Sequence, residues 1–142
     1  MKHRNQTTVD SEGVMPKGQV SLEEREKKYL QNGTVVWLTG FSGAGKTTLA
    51  RALYKSIKKK SPNILWIDGD ELKKIIPTNG KHDQKSRIER YKKMINIIKF
   101  FYDQKINIII STLYFNYFIF KNNKKLFKNY FQIYLKADIK DL

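Results

Sequence analysis

Three groups of residues have types and spacings that could do chemistry. Gly40-Phe41-Ser42-Gly43-Ala44-Gly45-Lys46-Thr47 matches the full G-x-x-x-x-G-K-[ST] spacing of a phosphate-binding loop. Glycines at 40, 43 and 45 let successive backbone N–H groups turn toward phosphate oxygens, and a helix starting near Lys46 adds its positive end. Lys46 then brings mobile positive charge to β- and γ-phosphates, the Thr47 hydroxyl is placed to coordinate Mg²⁺, and Thr48 closes the candidate nucleotide-binding stretch. A bland Gly-rich turn would require neither Lys46 nor Thr47. Asp68 and Asp70 flank Gly69 and could position Mg²⁺, its waters or an acceptor hydroxyl. The same three residues also read as a turn with Asp70 capping the next helix. Arg87 and Arg90, with Lys92 and Lys93 beside them, could clamp an anionic acceptor, the arginines bidentately. A solvated basic face is the other reading of that cluster. His82 lies in a loop rich in Lys and Asp, with no partner suggested, and is expected to be exposed.

The elements that must hold these groups follow from periodicity. Thr34-Val35-Val36-Trp37-Leu38-Thr39 is a short apolar run bounded by turn residues, which predicts a strand buried on both faces and ending in the loop. Leu49, Leu53 and Ile57 recur every four residues, so a helix covers 47–59 and stops at Ser61-Pro62-Asn63. A second strand, 64–67, delivers Asp68, and the strand, loop, helix, strand series predicts a right-handed βαβ unit with both polar motifs at carboxyl ends of strands. Tyr91, Met94, Ile95, Ile98, Phe101 and Tyr102 share one face of a helix over 86–102, ahead of a strand over 106–112. A helix over 117–128 and a strand over 130–135 complete a β-α-β-α-β-α-β alternation. That alternation predicts an α/β fold of three layers, α/β/α, with a parallel sheet covered by helices on both faces. Upstream, Ser21 and Glu24 have capping-box spacing at the head of a charged helix that runs to about Leu30 and breaks at Asn32-Gly33. Residues 1–19 lack apolar periodicity and read as a mobile lead-in to a domain over 20–142.

Bulk composition narrows the classes. A chain of 142 residues, 40% hydrophobic, has the size and apolar content of one folded domain. It has no cysteine, so disulfides, thiolate metal sites and cysteine catalysis are excluded, and a reducing, cytoplasmic setting is the expectation. Met1 to Pro16 has no apolar core of a secretory signal, and no run approaches the roughly 18 apolar residues that cross a bilayer. The net charge of +15 comes from lysines scattered along the chain, which reads as solvated surface in preference to a nucleic-acid stripe. Lys58-Lys59-Lys60 is the cationic end of a helix, opposing its negative dipole end. There is no Asn-Lys-x-Asp guanine-reading element, which argues against a GTPase switch.

Val36-Trp-Leu-Thr-Gly-Phe-Ser-Gly-Ala-Gly-Lys-Thr-Thr-Leu-Ala, with Val20-Ser-Leu-Glu-Glu-Arg-Glu before it and Ile67-Asp-Gly-Asp-Glu-Leu after, resembles the adenylylsulfate kinase family from about residue 17 onward. The resemblance implies a P-loop kinase fold and transfer of phosphate from MgATP to the 3′-hydroxyl of adenosine 5′-phosphosulfate, in sulfate assimilation. It implies that Gly40 to Thr48 hold ATP, that Lys46, Asp68 and Asp70 are catalytic, that Thr47 and Asp68 serve Mg²⁺, and that Asp70, Lys73, Arg87 and Arg90 face the acceptor. The expected partner is that small nucleotide, with neither nucleic acid nor membrane, and the expected assembly a homodimer. Three positions depart from the family pattern: Lys73 stands where Arg is common, Arg90 where Asn is, and Tyr114 at the serine of a Ser-Pro pair. Asp103 to Leu135 is similar to a variant branch of the family that includes cytidine diphosphoramidate kinase. Family members continue past the position of Leu142 into a basic lid and elements enclosing the base, so the resemblance implies a C-terminally truncated chain whose turnover depends on that closure. A nucleotide-binding product without turnover is the alternative.

Overall fold

A computed structural model describes residues 21–77, 79–113 and 115–138. The lead-in expected over 1–19 and Tyr114 lie outside them. Helix α1, Leu22–Asn32, begins where the Ser21 hydroxyl accepts the Glu24 N–H at 3.0 Å and ends at Gly33, as the capping pattern predicts. Then come β1 (Val35–Gly40), α2 (Lys46–Lys58), β2 (Ile64–Asp68), α3 (Gly69–Ile75), α4 (Gln84–Tyr102), β3 (Asn107–Thr112), α5 (Tyr117–Leu126) and β4 (Tyr130–Leu135).

All strand pairs are parallel and the order is β2-β3-β1-β4, so β1 and β3 are the inner strands and carry nearly all of the sheet's burial. Side chains alternate along them, and each face meets its own helices. On one face Val35, Trp37, Ile108 and Ile110 pack with Tyr91, Met94, Ile95 and Ile98 of α4 and Ile119 of α5. On the other, Leu38, Ile64 and Ile109 pack with Ala50, Leu49 and Leu53 of α2. This is the three-layer arrangement expected from the alternation. Each fully buried Leu, Ile or Val contributes at most about 1.5–3 kcal/mol, so the two inner strands anchor the domain.

Two local features differ from expectation. Asp68-Gly69-Asp70 is no isolated turn: α3 starts at Gly69, and its cap is Asp68, not Asp70. Helix α4 starts two residues before the expected Ser86, because the Asp83 carboxylate accepts the Ser86 N–H at 2.8 Å. The Ser86 hydroxyl, with that N–H, holds the Asp83 carboxyl below the usual carboxylate range.

A polar chain crosses the apolar layer between α5 and the sheet. The Tyr91 hydroxyl donates to Asn123 Oδ1 and accepts from Asn122 Nδ2 at 2.9 Å, and Asn123 Nδ2 donates to the Tyr130 hydroxyl at 3.0 Å. Tyr130 in turn donates to Gln132 Oε1. Burial pushes both phenols above the ordinary tyrosine value, Tyr130 the further, while the amide hydrogen bonds act in the opposite sense. An unfolded phenol ionises near about pH 10, where the native phenols still hold their protons. The native state then binds more protons than the unfolded one, so this stabilisation is complete below about pH 10 and is lost as pH rises toward the native values. The urea midpoint of wild type is therefore expected to fall more steeply between about pH 9 and pH 11 than that of Tyr130→Phe; parallel slopes would count against it.

Candidate active site

The site is built where β1, β2 and β3 end. Gly40 closes β1 with φ +150°, and a Cβ there would stand 2.5 Å from the Leu135 carbonyl oxygen of β4. Only glycine lets the chain leave the sheet at that point. Gly43 and Gly45 follow with φ +84° and +100°, and Ala44 N–H donates to the Phe41 carbonyl at 3.0 Å. Helix α2 begins at Lys46, so its first N–H groups, which have no intrahelical partner, face the loop. Lys46 Nζ donates to the carbonyl oxygens of Gly40 at 2.6 Å and Phe41 at 3.0 Å, holding the ammonium over the loop. Ser42, Thr47 and Thr48 are exposed around it. The space beside Gly45 is open, with no atom within 4 Å of an ideal Cβ, so the cradle has room for a phosphate oxygen and fits the group the motif implies.

Asp68 Oδ1 accepts the N–H groups of Asp70 and Glu71 at 2.9 and 3.3 Å, fixing that carboxylate at the head of α3. Gly69 docks tightly on β3: a Cβ would fall 2.5 Å from the Thr112 methyl and 2.8 Å from the Ser111 carbonyl oxygen. The close approach sets how near both carboxylates lie to the sheet. Asp70 pairs with Lys73 one turn on, at 3.3 Å.

A cavity of about 850 Å³ opens between β1, α3, α4 and α5. It brings Gly40, Phe41, Asp70, Lys73, Arg87 and Arg90 to one wall system, and His82, exposed as expected, joins them. Asp68 and the stretch from Ser42 to Thr48 are not on that wall. Arg90 also donates to the Lys81 carbonyl at 2.7 Å, so it braces the loop before α4. Lys93 Nζ binds the Pro77 carbonyl at 2.8 Å and, like Lys92, lies off the cavity. The sequence reading missed the apolar side, where Tyr91, Met94, Phe115 and Ile119 line the space. Helical periodicity marks Tyr91 and Met94 as core, and they serve both purposes. One wall of cations with a single carboxylate, facing an apolar wall, suits an anionic molecule with a flat apolar part.

A phosphate-binding loop at the carboxyl end of an inner parallel strand, with helices on both faces, defines a P-loop α/β protein. Within that class, the family model described as adenylylsulphate kinase matches residues 32–141, and the chain belongs to that family. It is 38% identical over 111 residues to cytidine diphosphoramidate kinase of Campylobacter jejuni, covering 78% of this chain and 65% of that one. It is 30% identical over 141 residues to adenylyl-sulfate kinase of Clostridium acetobutylicum, covering 98% of this chain and 68% of that one. The chain thus spans about two thirds of the length of these curated relatives. The Mycobacterium tuberculosis APS kinase CysC, solved in complex with AMPPNP and APS, superposes with a TM-score of 0.66 at 18% identity, covering 77% of this chain and 65% of that one. At that identity the likeness establishes the fold. Among the described residues, no helix is long and apolar enough to cross a membrane.

Proposed function

We propose that this chain carries the catalytic centre of a kinase that phosphorylates a sugar hydroxyl of a small anionic nucleotide with MgATP. The carrying observation is the cavity that joins the loop's Gly40 and Phe41 to Asp70, Lys73, Arg87 and Arg90. MgATP supplies the phosphoryl group, and Gly40 to Thr48, with Lys46 and Thr47 foremost, are the residues to hold it. Asp68 is proposed to serve the magnesium ion through its free oxygen, since Oδ1 is engaged as the α3 cap. Asp70 is on the cavity wall and takes the proton of the acceptor hydroxyl at a carboxylate oxygen. Lys73 holds that carboxylate in place. Arg87 and Arg90 orient the acceptor by its anionic groups, and the apolar wall covers its base. Catalysis is by positioning and charge, with no covalent intermediate.

Of the two acceptors the relatives' names suggest, cytidine diphosphoramidate is proposed ahead of adenosine 5′-phosphosulfate. The identity to the kinase of the former is 38% against 30%, and Lys73, Arg90 and Tyr114 depart from the sulfate-activating pattern. A cytoplasmic homodimer completes the proposal. The test is the purified chain with MgATP and each acceptor in turn, with transfer followed as labelled phosphate in the nucleotide product. Faster transfer to cytidine diphosphoramidate is the expected outcome. Preference for adenosine 5′-phosphosulfate would reverse the acceptor assignment, and MgATP binding without transfer to either would reduce the chain to a nucleotide-binding module.

A further inference from the structure

Thr39 and Thr112 are register partners at the carboxyl ends of β1 and β3. They are 3% and 1% exposed, yet both line the cavity. Alternation places both side chains on the α4 side of the sheet, with Trp37 and Ile110. Both hydroxyl oxygens already act as hydrogen-bond acceptors. The Trp37 indole N–H donates to Thr112 Oγ1 at 2.9 Å, and because an indole can only donate, the direction is fixed. Gln132 Nε2 donates to Thr39 Oγ1 at 3.3 Å, with the amide oriented by the Tyr130 hydroxyl on its oxygen. A hydroxyl carries one proton, so each threonine keeps a proton to give. Among the described residues no protein group receives either one. A buried donor without a partner is disfavoured, and the cavity is the space from which a partner can come.

The position selects the partner. Gly40, the first residue of the loop, follows Thr39, and the Thr112 methyl meets Gly69 between the two carboxylates. The cations that suit anionic groups stand elsewhere, on α3 and α4. We infer that Thr39 and Thr112 form a pair of hydroxyl donors that bind a sugar oxygen of the acceptor nucleotide at the junction of loop and carboxylates, with Trp37 and Gln132 as positioning residues. This rests on reading the cavity as the acceptor's, and it adds two binding residues to that site.

The test pairs the ligand's oxygen with the protein's hydroxyl. Binding of CMP, AMP and their 2′- and 3′-deoxy forms to the full chain is measured by calorimetry for wild type, Thr112→Val and Thr112→Ser. Losing one neutral hydrogen bond corresponds to about a five- to tenfold weakening. Thr112→Val is expected to weaken the ribonucleotide by that factor and to leave one of the deoxy forms unaffected, while Thr112→Ser, which keeps the hydroxyl, binds like wild type. Thr39→Val is expected to follow Thr112→Val, and Trp37→Phe to lie between. Equal weakening of ribo and deoxy forms, no weakening, weakening of MgATP binding instead, or no wild-type binding of either mononucleotide overturns the inference. The kinase proposal stands or falls separately, on phosphoryl transfer by wild type.

Discussion

Lys46→Ala is expected to lower phosphoryl transfer from MgATP by about a hundred- to a thousandfold, the loss typical when one preorganised charge is removed from a transition state. The physical reason lies in where the ammonium is kept. Lys46 is the first residue of α2, and its Nζ is held by the carbonyl oxygens of Gly40 and Phe41 at 2.6 and 3.0 Å. A cation on the loop's own backbone is in place before phosphate arrives, so little reorganisation is needed when charge shifts during transfer. Alanine keeps the helix, since it is the residue best suited to a helical position. The fold should survive, with an unfolding midpoint close to wild type. Lys46→Arg separates charge from shape, because a planar guanidinium cannot replace a compact ammonium in the same space. Initial rates at saturating MgATP decide the matter: an alanine variant within about threefold of wild type would remove Lys46 from the reaction.

Gly40→Ala should do its damage through the fold. The added carbon would lie 2.5 Å from the Leu135 carbonyl oxygen and 3.3 Å from the Leu135 Cβ, at φ +150°. Gly40 and Leu135 are the last register pair of β1 and β4, so relief requires the strands to part at the point where the loop leaves the sheet. Overpacking and backbone strain together come to roughly 2–5 kcal/mol, a large share of the about 5–15 kcal/mol that holds a domain. Gly45→Ala is the matched comparison. No atom lies within 4 Å of its added carbon, which leaves only the strain of φ +100° and the obstruction of the phosphate cradle. Urea unfolding should rank Gly40→Ala well below Gly45→Ala in stability. Equal midpoints would show that β4 gives way without cost.

Much of this was legible in the sequence because the signals are local. The loop motif, the strand ahead of it and the amphipathic helix behind it are contiguous, and Arg87 and Arg90 declare a shared side by their spacing. Helix α3 was not legible. It has seven residues and starts with glycine, a poor helix former. That glycine is needed for contacts with Ser111 and Thr112, some forty positions away. The apolar side of the cavity was hidden for a different reason. Tyr91 and Met94 follow helical periodicity as core residues do, and only the docking of α4 and α5 shows that their far edges border an opening. Thr39 and Thr112 were equally silent, since a threonine ending a buried strand carries no mark of what its hydroxyl faces.

The edge position of β4 has a consequence for how the chain behaves in company. β4 pairs with β1 along one side, and among the described residues no strand pairs with the other. Phe131 and Tyr134 stand 44% and 61% exposed on it. Such a row of backbone donors and acceptors beside aromatic rings is a template for self-association into extended aggregates. Lys128 and Lys136 bracket the strand, and a second copy aligning edge to edge would bring those charges against its own. Lysines at those two positions thereby disfavour the pairing of one copy's edge with another's.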